Sequence, residues 1–280
     1  MAKFLMAWNR EFQVQSEINP WMVGNKQQVN PIVAATQWEQ LVSTLYDCGA
    51  QISFMNFADK SIPDIVFTAN AAVVVNKKVL IANFRHPERK REQGYNFNHF
   101  SNGMLLEYKA ITVPQKHISF EGAGDALLDN KGRLFMGFGF RSTLGAKQEL
   151  ELAFPEVLVR PLQLVDPRFY HLDTCFCPLE GANGETAVMY YPGAFDEYGN
   201  YVIHNCFDNI IELTEDEATV FTCNAVQVKQ NIVLSECSQR VENELAKFGL
   251  KVRRTPLSEF MKSGGQAKCL TLRIDQMFSE

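Results

Sequence analysis

A strand, a short turn of Asn, Asp, Gly or Lys, and a second strand recur along this chain, and that repetition restricts its fold more than any other feature. The copies are AVVV-NKK-VLIANF (72–84), ALLD-NKG-RLFMGF (126–138), AVMYYPGAFDEYGNYVIHNCF (187–207) and AVQV-KQN-IVLSEC (225–237), each read as a β-hairpin. Helical patterning follows at Pro87–Tyr108, Ala146–Phe154 and Ser238–Phe248; in the last, Val241, Leu245 and Phe248 fall at i, i+4 and i+7. Another apolar run comes after each helix: AITV at 110, VLVRPL at 157 and LKVRRT at 250. The module is therefore strand, strand, helix, strand. A fifth, degenerate copy is expected near the N-terminus, with a helix at Thr36–Asp47 and a strand at Ala50–Phe54.

Five such units can close into a ring with helices outside, each burying its apolar faces against its neighbours, so residues 1–280 are expected to form a single α/β domain. No Ser/Pro/Gly linker or low-complexity stretch divides them. A ring leaves a central channel lined by loops from different units, which is where convergent side chains belong. With 27 Lys plus Arg against 32 Asp plus Glu, and a basic run at Arg85–Arg91 broken by Pro87 and Glu88, no nucleic-acid partner is expected. The seven cysteines are odd in number and scattered, which fits a reducing compartment rather than a disulfide framework. No window reaches the ~18 uncharged apolar residues of a membrane span, so a cytoplasmic protein without membrane attachment is expected. The exposed helix faces carry mixed charge, and the sequence assigns no oligomeric state.

Four segments place polar groups where an apolar run makes them costly. PDIVFTANAAVV (63–74) holds Asp64 and Asn70; ISFEGAGDALL (118–128) holds Glu121 and Asp125; FYHLDTCFCPL (169–179) holds His171 and Asp173; EFMKSGGQAKCLTL (259–272) holds Cys269. Glu121 and Asp125 are equally readable as carboxylates bonding backbone amides in a glycine turn, and His171 as a core histidine. The His171-x-Asp173 spacing yields two ligands on a strand face, and Cys175-x-Cys177 lacks a second pair, so no metal is expected and those two cysteines read as buried small hydrophobes. Cys48, Cys206, Cys223 and Cys237 take the same reading at helix or strand positions. Cys269 differs because Gly264 and Gly265 precede it and Lys268 adjoins it, a cation expected to lower its pKa. No phosphate-binding loop, dinucleotide fingerprint, serine-nucleophile elbow or zinc-protease motif is present.

In this order, VFTAN, FEGAGD, HLDT and a Gly-Gly followed by Cys resemble the guanidino-modifying, or pentein, superfamily, with the likeness running from about Asn19 to Leu272. That superfamily includes arginine deiminases, dimethylarginine dimethylaminohydrolases, amidinotransferases and arginine dihydrolases. The resemblance implies a five-fold pseudosymmetric α/β-propeller of ββαβ units around a central site, in agreement with the repeat. It implies Cys269 as nucleophile, His171 as general acid/base, and Glu121 as the acid that orients this histidine or binds a guanidino nitrogen. Asp173 matches the deiminase pattern HLD. Asp64 and Asn70 fall in a segment whose last position is usually Asp in relatives and here is Asn. Arg89 and Arg141 match arginines that bind a substrate α-carboxylate, the alternative for each being an exposed helix charge; the Asn19–Met22 loop is the candidate for the α-amino group.

The implied chemistry suits these residue types. A guanidinium is planar, cationic and resonance-stabilised, so carboxylates must hold it in plane beneath a thiolate. The product of one cycle on arginine is a neutral ureido compound, to which an amide can donate where a carboxylate cannot. Asn70 therefore points to a second hydrolysis, and the expected function is arginine dihydrolase action through a covalent S-amidino intermediate, with no cofactor. Arginine deiminase, citrulline hydrolase and dimethylarginine dimethylaminohydrolase are alternatives, amidino transfer to an amine is less favoured, and a ribosome-binding factor of the same ring is the non-enzymatic alternative. The expected partner is a small guanidino molecule.

Overall fold

The repeats take shape as three-stranded sheets in a computed structural model that describes residues 1–102, 108 and 110–278. The chain starts with β1 (Lys3–Asn9), α1 (Pro31–Asp47) and β2 (Gln51–Phe57), a module that lacks its first strand. Four complete modules follow. The first is β3 (Ala72–Val75), β4 (Lys78–Ile81), α2 (Lys90–Asn102) and β5 (Ala110–Thr112). The second is β6 (Ala126–Leu128), β7 (Arg133–Phe138), α3 (Ala146–Ala153) and β8 (Leu158–Gln163). The third is β9 (Phe176–Glu180), β10 (Thr186–Tyr190), α4 (Glu197–Cys206) and β11 (Asn209–Glu212), followed by the short helix α5 (Glu215–Thr219). The fourth is β12 (Val226–Val228), β13 (Asn231–Leu234), α6 (Gln239–Lys247) and β14 (Lys251–Arg254), with α7 (Ser258–Met261) after it.

In every module the hairpin is antiparallel and the strand after the helix pairs parallel to the middle strand, for example Val79 opposite both Val74 and Ile111. The β3–β4 turn places Asn76 and Lys77 at φ 49° and 63°, the mirror-image turn that matches strand twist. The strand missing from the first module is β15 (Leu272–Arg273), which pairs antiparallel with β1 through Leu272 opposite Leu5. The fifth sheet is thus made from both ends of the described chain.

Short turns lead into the first strand of each sheet, and each turn is tied to the next. Asn70 Nδ2 donates to Glu121 O at 3.2 Å, Leu172 N to Asp125 Oδ1 at 3.0 Å, and Asn224 Nδ2 to Asp173 O at 3.0 Å. Cys269 N donates to Asn224 Oδ1 at 3.1 Å, and Ala69 N to Cys269 O at 3.1 Å, which returns to the starting turn. The cycle of five turns closes the ring. Between neighbouring sheets the apolar faces merge: Val73, Val75 and Leu80 of one pack with Leu134, Met136 and Leu150 of the next.

Three expectations change. Residues 187–207 are not a hairpin; the third hairpin is β9 with β10, and the rest is the crossover helix α4, capped by Asp196 accepting from Gly199 N. Pro178 obscures β9 in the sequence, and it is tolerated because β9 is the edge of its sheet. The helix expected over Pro87–Tyr108 is a 3-10 turn at Pro87–Arg89 and α2; Tyr108 is not helical, and residues 103–107 lie outside the described residues. Cys223 and Cys237 are buried as expected but in turn and loop rather than strand. Among the described residues no helix is long and apolar enough to cross a membrane.

Closure by β15 makes a testable demand. Leu272 is fully buried, so Leu272→Ala is expected to cost about 2–5 kcal/mol, lowering the urea midpoint. Leu152→Ala, at a side chain 71% exposed, is expected to stay within about 0.5 kcal/mol of wild type. Equal midpoints for the two variants would remove β15 from the fold's cooperative unit.

Candidate active site

The hydrogen-bonded turns carry most of the residues that the sequence singled out, and all of them are buried. His171 lies at the start of the Leu172–Thr174 turn, and its Nε2 meets Glu121 Oε2 at 2.8 Å. Of its two expected roles, Glu121 therefore makes the contact that orients the histidine. The same oxygen accepts from Arg141 Nη1 at 2.9 Å, and Arg141 lies over the Tyr170 ring and donates through Nη2 to Ile18 O. Asp125 takes the plainer reading. Its carboxylate accepts from Ser142 Oγ at 2.6 Å and Leu172 N at 3.0 Å, while Ser142 Oγ accepts from Glu121 N. It locks the two backbones that present Glu121 and His171.

Cys269 stands opposite this group. The Gly-Gly turn before it needs glycine: Gly264 has φ 79°, and a Cβ on Gly265 would come within 2.5 Å of the Phe67 ring. Asp173 faces the sulfur, with Oδ2 and Oδ1 at 3.4 and 3.5 Å. Asn224 Nδ2 reaches the same sulfur at 3.1 Å. Lys268 Nζ donates to Ala123 O at 3.2 Å, so it ties the Cys269 turn to the Glu121 turn.

Asn70 Oδ1 accepts from Arg89 Nη1 at 2.9 Å, which turns its NH2 toward the Glu121 turn. Arg89 is not an exposed helix charge. Its Nε and Nη2 grip both oxygens of Glu92 at 2.8 and 2.7 Å, and Nη2 also donates to Asp64 O. The fork expected to meet a substrate carboxylate is thus occupied by Glu92 here, with one Nη1 hydrogen left over. Asp64 Oδ1 is buried and, among the described residues, has no hydrogen-bond partner, an acceptor that a cationic N–H would satisfy. Asn19 caps the Pro20–Met22 turn and donates to Ser263 O, which places that loop beside the Gly264 turn.

Asn224 and Glu92 were not picked out by the sequence reading. Asn224 had a signal, since Phe-Thr-x-Asn-Ala occurs at 67–71 and again at 221–225 and sets Asn70 and Asn224 at equivalent places in two units. Glu92 had none, being one charge in a charged run.

Burial and charge set the proton positions. Burial would raise Glu121, but Arg141 and then His171 outweigh it and hold the carboxyl well below the usual range. Burial draws His171 down to about 4 against the pull of Glu121, so the imidazole is neutral at neutral pH. Burial first, and Asp173 second, push the Cys269 thiol well above its ordinary value; Lys268 acts in the expected direction but is outweighed. Burial also lifts Asp173 up to about 6, opposed chiefly by Lys268. Among the described residues no three His, Cys, Asp or Glu side chains are grouped to hold a metal.

These shifts predict opposite pH dependences of stability. Neutral His171 stabilises the fold at high pH, a contribution lost as pH falls from 6.5 through about 4. Asp173 contributes below 3.8 and loses that contribution as pH rises through about 6. Asp173→Asn is therefore expected to gain on wild type in urea midpoint between about pH 4 and about pH 7. A constant offset across that window would show that Asp173 titrates as an ordinary carboxylate.

Comparison with known proteins places this geometry in a family. A family model described as N,N dimethylarginine dimethylhydrolase, eukaryotic, matches residues 6–276. The bifunctional arginine dihydrolase/ornithine cyclodeaminase ArgZ of Synechocystis sp. is 42% identical over 277 residues, 98% of this chain; the chain spans 38% of that relative's length. The N(G),N(G)-dimethylarginine dimethylaminohydrolase of Mycobacterium tuberculosis is 34% identical over 265 residues, 94% of this chain and 82% of the relative. The solved N-terminal domain of ArgZ, covalently bound to a reaction intermediate, is 40% identical, with a TM-score of 0.92 and 99% of each chain covered. The propeller of ββαβ units is the fold of these relatives as well. The chain belongs to the dimethylarginine dimethylaminohydrolase family of pentein-type, guanidino-modifying proteins.

Proposed function

We propose that residues 1–280 form one catalytic domain that hydrolyses L-arginine to ornithine, CO2 and two NH3 through covalent intermediates on Cys269. The observation that carries this reading is the Asn70 amide, held by Arg89 so that its NH2 is turned into the site beside Glu121. A carboxylate at that position would suit only a cation. The amide can donate to a ureido oxygen, and so can retain the product of the first hydrolysis. The relatives named arginine dihydrolase support the same reading.

In the resting site the sulfur and Asp173 share one proton, because two anions 3.4 Å apart in a buried site repel. The substrate cation changes that balance. With its N–H groups on Asp64 Oδ1 and the Asp173 carboxylate, it stabilises both as anions, and the thiol proton passes to His171. Ionised Glu121 holds Nε2 and stabilises the imidazolium, leaving Nδ1 to move the proton. The thiolate attacks the guanidino carbon, and His171 protonates the departing NH2, which leaves as NH3. Water then gives a proton to His171 and adds to the S-amidino carbon; expulsion of the thiolate yields the ureido compound. A second thiolate attack releases the second NH3 and leaves an S-carbamoyl intermediate. Its hydrolysis gives a carbamate that loses CO2 to form ornithine.

Hydrolysis of dimethylarginine is the second reading, favoured by the family match. The site argues against it, since a dimethylated nitrogen has no N–H for a facing carboxylate such as Asp173.

Incubation with arginine is expected to yield ornithine and about two ammonia per arginine consumed, with turnover lost in Cys269→Ala. Citrulline accumulating without ornithine would sink the dihydrolase reading, and dimethylamine released from dimethylarginine would favour the second. Asn70→Asp is expected to stop at citrulline, so the citrulline-to-ornithine ratio reads the role of the amide directly.

A further inference from the structure

We propose that Asn224 is a positioning residue for the nucleophile: its side-chain amide fixes the Cys269 turn and donates a hydrogen bond to the Cys269 sulfur that strengthens when the sulfur becomes an anion. All four hydrogen-bonding positions of this amide are occupied. Oδ1 accepts from the backbone N–H groups of Gln266 and Cys269, both at 3.1 Å. Nδ2 donates to Asp173 O at 3.0 Å and to Cys269 Sγ at 3.1 Å. Two backbone donors on one atom fix the amide orientation, so the atom facing sulfur is nitrogen and not oxygen.

The residue is fully buried, so the contact lies in a low-dielectric setting. A hydrogen bond to an anion is about twice as strong as one to a neutral group, so this contact favours the thiolate over the thiol. It acts against the two influences that hold the sulfur neutral, burial and Asp173. Lys268 also acts against them, but its ammonium donates to Ala123 O rather than to the sulfur among the described residues. Asn224 therefore supplies a direct side-chain donor, alongside the backbone of Gln266, from a turn that also holds the backbone of Asp173. The duplicated Phe-Thr-x-Asn-Ala segment gives the ring two buried amides with one tether in common, each donating to the carbonyl of an acid in an adjacent unit: Asn70 to Glu121 and Asn224 to Asp173. The remaining N–H of Asn224 points at the nucleophile.

This inference rests on Cys269 being the nucleophile of the proposed hydrolase, so its test uses no substrate. Alkylation of Cys269 by iodoacetamide is followed by mass spectrometry of its peptide across pH in wild type, Asn224→Ala and Asn224→Asp. The rate at about pH 7.5 is expected to fall about tenfold in Asn224→Ala, with the alkylation midpoint moving up by about one pH unit. Asn224→Asp keeps an acceptor for the two backbone N–H groups while placing a carboxylate against the sulfur, and is expected to shift the midpoint at least as far. Superimposable profiles in folded variants would overturn the proposal, as would failure of both variants to fold, which would assign Asn224 to the scaffold alone. Arginine turnover, measured separately, tests the hydrolase reading; its absence in wild type would leave the alkylation result standing.

Discussion

Everything at the centre of this molecule depends on a ring of turns that satisfy one another's polar groups. Five sheets bring five chain reversals together out of water, where an unpaired amide or carboxylate is costly. The turns answer by bonding across units, Asn70 to Glu121, Asp125 to Leu172, Asp173 to Asn224, Asn224 to Cys269, and Cys269 to Ala69. Among the described residues a few buried polar atoms are left without a partner, Asp64 Oδ1 and, in the Cys269 turn, Gln266 Oε1 among them. The scaffold and the site are thus one network, and in the proposed function a substrate N–H would give Asp64 Oδ1 its partner.

That network also separates the two halves of the chemistry. Glu121 is ionised because Arg141 and His171 press on it, and it in turn keeps the imidazole aligned. Across the site, Asp173 and Cys269 have Lys268 and, among the described residues, no arginine acting on them, and burial favours a proton held between them. In the proposed mechanism the acid–base roles follow from this difference in surroundings rather than from residue type, since both halves are built around a carboxylate.

Much of this was readable along the chain, for particular reasons. The modules were visible because strand alternation and hairpin turns such as Asn76-Lys77 are local codes. Residues 187–207 misled because Pro178 hid the true first strand while the Tyr- and Val-bearing α4 looked like a second one. Cys269, His171 and Glu121 stood out as polar groups in apolar or glycine-rich segments. Asn224 lies in the repeated Phe-Thr-x-Asn-Ala segment, but that segment by itself does not say which groups its amide meets. Glu92 had no local mark, because a buried ion pair and an exposed helix charge read alike in one dimension.

Local sequence was enough for the module, its repetition and the candidate site groups, because these follow from propensity, periodicity and side-chain chemistry within a few residues. Tertiary structure decided which carboxylate meets the histidine and which the sulfur, which arginine hydrogens remain free, and how the fifth sheet closes. The physical reason is separation along the chain: His171 and Glu121 are 50 residues apart, Asn224 and Cys269 45, and Asp173 and Cys269 96. Hydrogen bonds act over about 3 Å, so only the folded ring can say which of these groups are neighbours and where each proton rests.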